Sequence, residues 1–70
     1  MRNLSISKLL IKEKATITDS LKQLGKTGLR CLIVVDEKKN YLGTITDGDL
    51  RREILKNKNF KKNIKTIYNR

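Results

Sequence analysis

Residues 41–52 read Tyr41-Leu42-Gly43-Thr44-Ile45-Thr46-Asp47-Gly48-Asp49-Leu50-Arg51-Arg52. The first six suit a β-strand, being aliphatic, aromatic or β-branched around one glycine. Asp47-Gly48-Asp49 breaks that strand and opens a helix. Leu50, Ile54 and Leu55 then form the apolar side of the helix, and Arg51, Arg52 and Lys56 its wet side. A glycine inside a strand marks a place where another group approaches the backbone closely, and Gly43 is such a residue. Just upstream, Cys31–Val35 is a continuous aliphatic run whose length fits a strand buried on both faces. Asp36–Asn40 is a polar connection, with Asn40 suited to the left-handed position of a turn. The two runs therefore pair as an antiparallel hairpin.

Upstream of the hairpin, Thr18 reads as a helix cap, with Asp19 in the first turn where the helix dipole favours negative charge. Ile17, Leu21 and Leu24 recur at i, i+4 and i+7, giving one apolar face. Gly25 and Gly28 close that pattern, so the spacing predicts a helix over about 18–26. Ala15-Thr16-Ile17 is short and partly β-branched, a brief extended segment. Ile6, Leu9 and Leu10 suit one or two helical turns. Downstream, 57–63 has no period and reads as linker, with Phe60 folding back onto the core. The order is helix, strand, strand, helix, an α+β arrangement with a short extra N-terminal strand or turn. Ile64-Lys65-Thr66-Ile67-Tyr68-Asn69 echoes Ile6-Ser7-Lys8-Leu9-Leu10-Ile11 at an offset of 58 residues. If that echo is a repeat, residues 1–60 form one unit and 61–70 a linker and the start of a second, cut short.

Composition narrows the chemistry. Seventy residues make one small domain or part of something larger, with little core of its own. The chain has no His and one Cys, which excludes imidazole catalysis, an intramolecular disulfide and a multi-thiolate zinc site. Cys31 lies in the apolar run, where a buried, inert thiol is expected. The longest apolar run is far too short to span a bilayer, and Met1–Lys8 lacks the features of a secretory signal. The expectation is a soluble cytoplasmic module. The net charge is +10, and residues 51–70 carry eight basic groups against Glu53 alone. Such a balance attracts polyanions without naming one. Tyr41, Phe60 and Tyr68 are scattered singly, so a nucleic-acid surface with interleaved stacking platforms is not expected.

The strand–turn–helix corner offers two readings. In one, Thr46 or Asp47 caps the helix and the arginines are solvated. In the other, the helix N-terminus and Gly48 favour a phosphate and Thr46 donates a hydrogen bond to it. Asp49 then accepts from a sugar's adjacent hydroxyls, and Arg51 or Arg52 neutralises charge. Asp47 and Asp49 at i, i+2 read as cap and surface group rather than as a metal pair. No catalytic or metal site is expected.

The element order, Val34-Val35-Asp36-Glu37, and the Gly43, Thr46 and Asp49 pattern resemble a cystathionine-β-synthase (CBS) domain over about residues 6–57. Thr44 is more polar than the residue usual there. The resemblance implies a regulatory module that works in pairs and needs no cofactor. Clefts between its repeats bind AMP, ADP, ATP or S-adenosylmethionine. Thr46 and Asp49 would contact phosphate and ribose, and backbone at Ala15, Thr16 and Ile17 would lie along the base. With one full repeat, a homodimer would rebuild the cleft. The string Thr46–Arg52 is similar to the first repeat ahead of sugar-phosphate nucleotidyltransferase domains, and also to the pair that follows the sugar-isomerase domain of arabinose-5-phosphate isomerase. A unit beginning at Met1 favours the first. Two further readings are a structural repeat that dimerises an enzyme without binding a ligand, and a basic nucleic-acid-binding domain.

Overall fold

The structure, a computed structural model, describes residues 6–70, with side chains from Lys8 onward. Most of the Met1–Lys8 stretch read for a secretory signal, and the Ile6 side chain, lie outside the described residues. A 3-10 turn at Ile6–Leu9 leads into strand β1, Leu10–Lys12. Helix α1, Ile17–Thr27, comes next, and then β2, Cys31–Val35, and β3, Tyr41–Thr46. Helix α2, Asp47–Asn57, and a second 3-10 turn, Ile64–Thr66, complete the order.

The strands form one sheet, β1-β2-β3. β2 and β3 pair antiparallel, with Leu32 opposite Ile45 and Cys31 opposite Thr46. β1 pairs parallel with β2, Leu10 opposite Ile33. The extra N-terminal strand therefore stands at 10–12 rather than at Ala15–Ile17. Of that segment only Thr16 is extended and bridged, to Asn63, and Ile17 already begins α1.

Both helices start on the same device, a Thr whose side chain caps the residue three further on while that residue's carboxylate caps the Thr N–H. For α1 the cap is Thr16 and not Thr18. Asp19 at the third helical position completes the box with Thr16, and the Thr18 hydroxyl instead donates to the Phe60 carbonyl. Gly25 stays inside α1, and Gly28 ends it in the left-handed conformation at φ 72°. In the β2–β3 connection the left-handed residue is Lys39, not Asn40. Asn40 bonds the Asp36 carboxylate through its N–H and its carboxamide, which holds it out of that role.

The helices touch each other over the sheet, and Ile17, Leu24, Leu32, Val34, Ile45 and Leu50 meet between them. Each such side chain contributes about 1.5–3 kcal/mol through apolar burial. β2 is closed along one face, and on the other only Val35, at its end, is buried. Leu32 and Val34 are fully buried, but Ile33 is half-buried and Cys31 exposed. The two-sided burial and the buried thiol expected of this run are thus corrected: both helices lie on one side, and alternation sends Cys31 to the other.

Residues 60–70 return to the same unit. Ile17 N–H donates to the Lys62 carbonyl, Ile64 N–H to Ala15, and Thr44 and Asn69 exchange a pair of bonds at 2.8 and 2.9 Å. Ile64 is fully buried and Tyr68 nearly so, whereas Phe60 stays half exposed, attached by its backbone rather than its ring.

Candidate functional site

β3 ends at Thr46 in extended conformation, φ −110° and ψ 165°, and the chain turns at once into α2. That turn sets Thr46 and Asp49 face to face. The Thr46 hydroxyl accepts from the Asp49 N–H at 3.1 Å, and Asp49 Oδ2 accepts from the Thr46 N–H at 3.0 Å. Asn69 Nδ2 donates to the same Oδ2 at 3.0 Å, and the Arg52 guanidinium donates to Oδ1. Asp49 is 7% exposed, and every one of these contacts favours its charged form. Burial pushes the carboxyl up, but the Thr46 backbone and hydroxyl, Arg52 and Asn69 together outweigh it and hold the pKa below the ordinary value. Asp49 is therefore an ionised, acceptor-only group, suited to receive O–H or N–H donors.

Asp47 lies on the wet side of the corner. Its carboxylate takes Arg51 Nε at 2.8 Å, and its N–H donates to the Arg30 carbonyl at 2.9 Å. The first N–H groups of a helix have no partner within it. Here Asp47 N–H reaches Arg30 and Asp49 N–H reaches Thr46, which leaves the Gly48 N–H as the first-turn donor that those bonds do not engage. A Cβ at Gly48 would lie in ordinary contact with the Arg52 guanidinium and the Thr46 hydroxyl, both at 3.7 Å, so those two side chains border the space beside it. The corner thus sets a backbone donor beside a carboxylate, with two guanidiniums flanking.

Thr46, Asp47, Gly48, Asp49 and Arg51 are brought together, as their spacing requires. Ala15, Thr16 and Ile17 are joined to them through the returning chain. Asn63 bridges Thr16, Lys62 and Ile64 bond Ile17 and Ala15, and Asn69 reaches Asp49. Ile17 is fully buried, and the Thr16 carbonyl is taken by Ser20. Asn69 is the residue the sequence reading did not place here. One signal pointed toward it, the glycine at 43, which marked a close approach to β3. Of the two arginines, Arg52 is the one on Asp49.

Among the described residues no helix is long and apolar enough to cross a membrane, and no three His, Cys, Asp or Glu side chains gather as a metal site.

An uncharacterised protein of Rickettsia prowazekii is 42% identical over 45 residues, covering 64% of this chain and 14% of its own length. A CBS-domain-containing protein from Agrobacterium tumefaciens superposes with a TM-score of 0.81 at 14% identity, over 87% of this chain and 47% of its own. A CBS domain protein from Pyrobaculum aerophilum complexed with AMP gives 0.80 at 17% identity, over 87% and 48%. The chain thus spans a small fraction of the sequence relative and about half of each of these solved structures. The CBS-domain family model matches residues 3–56 and takes in Gly43, Thr46 and Asp49. This chain belongs to the CBS-domain family.

Proposed function

We propose that the chain is a regulatory module that binds an adenine nucleotide or adenosyl ligand at the Thr46–Asp49 corner. The observation that carries this reading is the ionised, nearly buried Asp49 carboxylate beside the Gly48 N–H at the start of α2. A ribose hydroxyl donates to the carboxylate, and a phosphate takes the Gly48 N–H and the positive end of the helix dipole. Arg51, in an exposed pair with Asp47, swings to the phosphate at little cost, whereas Arg52 leaves the nearly buried Asp49 only as a ribose hydroxyl replaces it. Ala15 and Thr16, both half-buried, form the wall along the base, with the fully buried Ile17 behind them. The AMP complex of the Pyrobaculum relative supports this ligand class.

The module works as half of a pair, supplied by a second repeat or a second copy. Leu10 and Ile33, paired across β1 and β2, remain half-buried on the sheet face away from the helices, which suits a matching face. The 3-10 turns at Ile6–Leu9 and Ile64–Thr66 stand at the 58-residue offset of the sequence echo, which supports 64–70 as the start of a second unit that packs its first residues onto this one. The likeness of Thr46–Arg52 to repeats ahead of sugar-phosphate nucleotidyltransferases suggests a cytoplasmic enzyme of that kind as the attached or partner domain.

One observation favours a second reading, a structural repeat without ligand: Thr46 and Asp49 already satisfy each other. A thermal-shift titration with AMP, ATP and S-adenosylmethionine separates the two. Ligand at 100 times its dissociation constant adds about 2.7 kcal/mol to stability. A melting temperature unmoved by all three assigns the structural role.

A further inference from the structure

We propose that Asn69 and a bound nucleotide compete for the same oxygen of Asp49, so that ligand binding at the corner releases Asn69 and Arg70 from the edge of β3. The inference rests on the nucleotide reading and adds to it the route by which occupancy leaves the site.

A carboxylate oxygen has two acceptor positions. Those of Asp49 Oδ2 are filled by the Thr46 N–H and Asn69 Nδ2, both at 3.0 Å. The Thr46 bond belongs to the cap of α2 and goes only if the helix start is undone. Oδ1 carries Arg52, whose side chain is largely solvent-exposed and free to leave. A ribose presents two adjacent hydroxyls. One takes the acceptor position that Arg52 leaves open on Oδ1, but the second, reaching the other oxygen as a bidentate diol does, finds room on Oδ2 only when Asn69 gives up its place.

The Asn69 carboxamide does not move alone. Its backbone exchanges two hydrogen bonds with Thr44, an isolated bridge on the outer edge of β3 with no strand continuing it. The neighbouring Tyr68 is held by packing against the core and by a weak 3.4 Å bond from its hydroxyl to Glu13. Ile67 and Tyr68 stay anchored by the core and by their N–H bonds to the Ile64 carbonyl, so losing the carboxamide bond loosens Asn69 and Arg70, a segment fixed at one further point on the strand. By linkage, a ligand that binds better with Asn69 unseated drives the segment off the strand, and a segment held down weakens the ligand by the same factor. A domain joined to this segment then senses the state of the corner.

Two measurements on the full chain test this. First, AMP and ATP are titrated into the wild type and into Asn69→Ala by calorimetry. The variant removes the competing donor at an exposed position, and nucleotide affinity rises about fivefold, the worth of one modest hydrogen bond. Second, amide hydrogen exchange is measured at Asn69 and Thr44 in the wild type, with and without saturating nucleotide. Exchange at both speeds up when nucleotide is bound, while the Asp49 and Leu50 amides do not. Equal or weaker binding by Asn69→Ala, or slower exchange at Asn69 with nucleotide, overturns the competition and leaves the nucleotide reading standing. Failure of both nucleotides to bind either protein overturns the nucleotide reading and this inference with it.

Discussion

Asn69 lies in the space that a side chain at position 43 would fill: a Cβ built on Gly43 falls on the Asn69 carbonyl and comes within 2.9 Å of the Tyr68 ring. The close approach expected at that glycine is the chain's own C-terminal segment. Gly43 therefore decides whether 67–70 seats on β3, and through Asn69 whether the Asp49 carboxylate is closed.

Gly43→Ala consequently destabilises the fold by about 1–3 kcal/mol, the usual cost of overpacking. Urea denaturation at equilibrium measures it. Because the opposing atoms are backbone and cannot rotate aside, Gly43→Val costs more. Equal stability of wild type and Gly43→Ala would contradict the seating of Asn69 on the strand.

Thr46→Ala removes the side-chain half of the α2 box and costs about 0.5–2 kcal/mol. Thr46→Ser keeps the hydroxyl and stays within a few tenths of wild type. Thr16→Ala behaves likewise at α1, whereas Thr18→Ala costs less, since Thr18 only bonds the Phe60 carbonyl from an exposed position. Thermal melts of the four variants rank them.

Lys58 closes α2 in the left-handed conformation, φ 54°, where its N–H donates to the Ile54 carbonyl at 2.7 Å. An L-residue with a side chain pays about 1–2 kcal/mol there, and glycine does not. After the greater entropy that glycine loses on folding, Lys58→Gly is stabilising by up to about 1 kcal/mol, read as a raised urea midpoint.

Acid unfolds the chain through four carboxylates. Asp36 is held low by Asn40, Glu37 by Lys12 and Glu53 by Lys62; burial raises Asp49, but its bonds to Thr46, Arg52 and Asn69 prevail. Each has a folded pKa below its unfolded one. Their stabilisation is therefore complete above the ordinary carboxylate value near about 4 and is lost as pH falls through the depressed values. Protonation also removes four of the seven negative side chains that offset seventeen cations. The melting temperature stays level between pH 7 and 5 and drops steeply below 4.

Much of this fold was legible in the residues. The hairpin strands are continuous β-prone runs, and both emerge with the boundaries their composition implies. The corner was readable from a strand that ends in a hydroxyl before Asp-Gly-Asp. What escaped was set by contacts distant in sequence. β1 is three residues long and becomes a strand only because β2 lies beside it. Thr16 takes the cap from Thr18 because the returning chain at 60–64 fixes where α1 begins. Cys31 lies in an apolar run yet faces out, because local pattern does not reveal that both helices cover one side of the sheet. Asn69 joins Asp49 across twenty residues, and no local period encodes that meeting.

The central claim is that the corner binds an adenine nucleotide through Asp49. Calorimetric titration of AMP and ATP into the wild type and into Asp49→Asn tests it most directly, since the amide keeps the shape and removes the charge. Measurable binding by the wild type is expected, with at least tenfold weaker binding by a variant that still folds. Equal affinity in the two proteins, or no binding by the wild type, would contradict it.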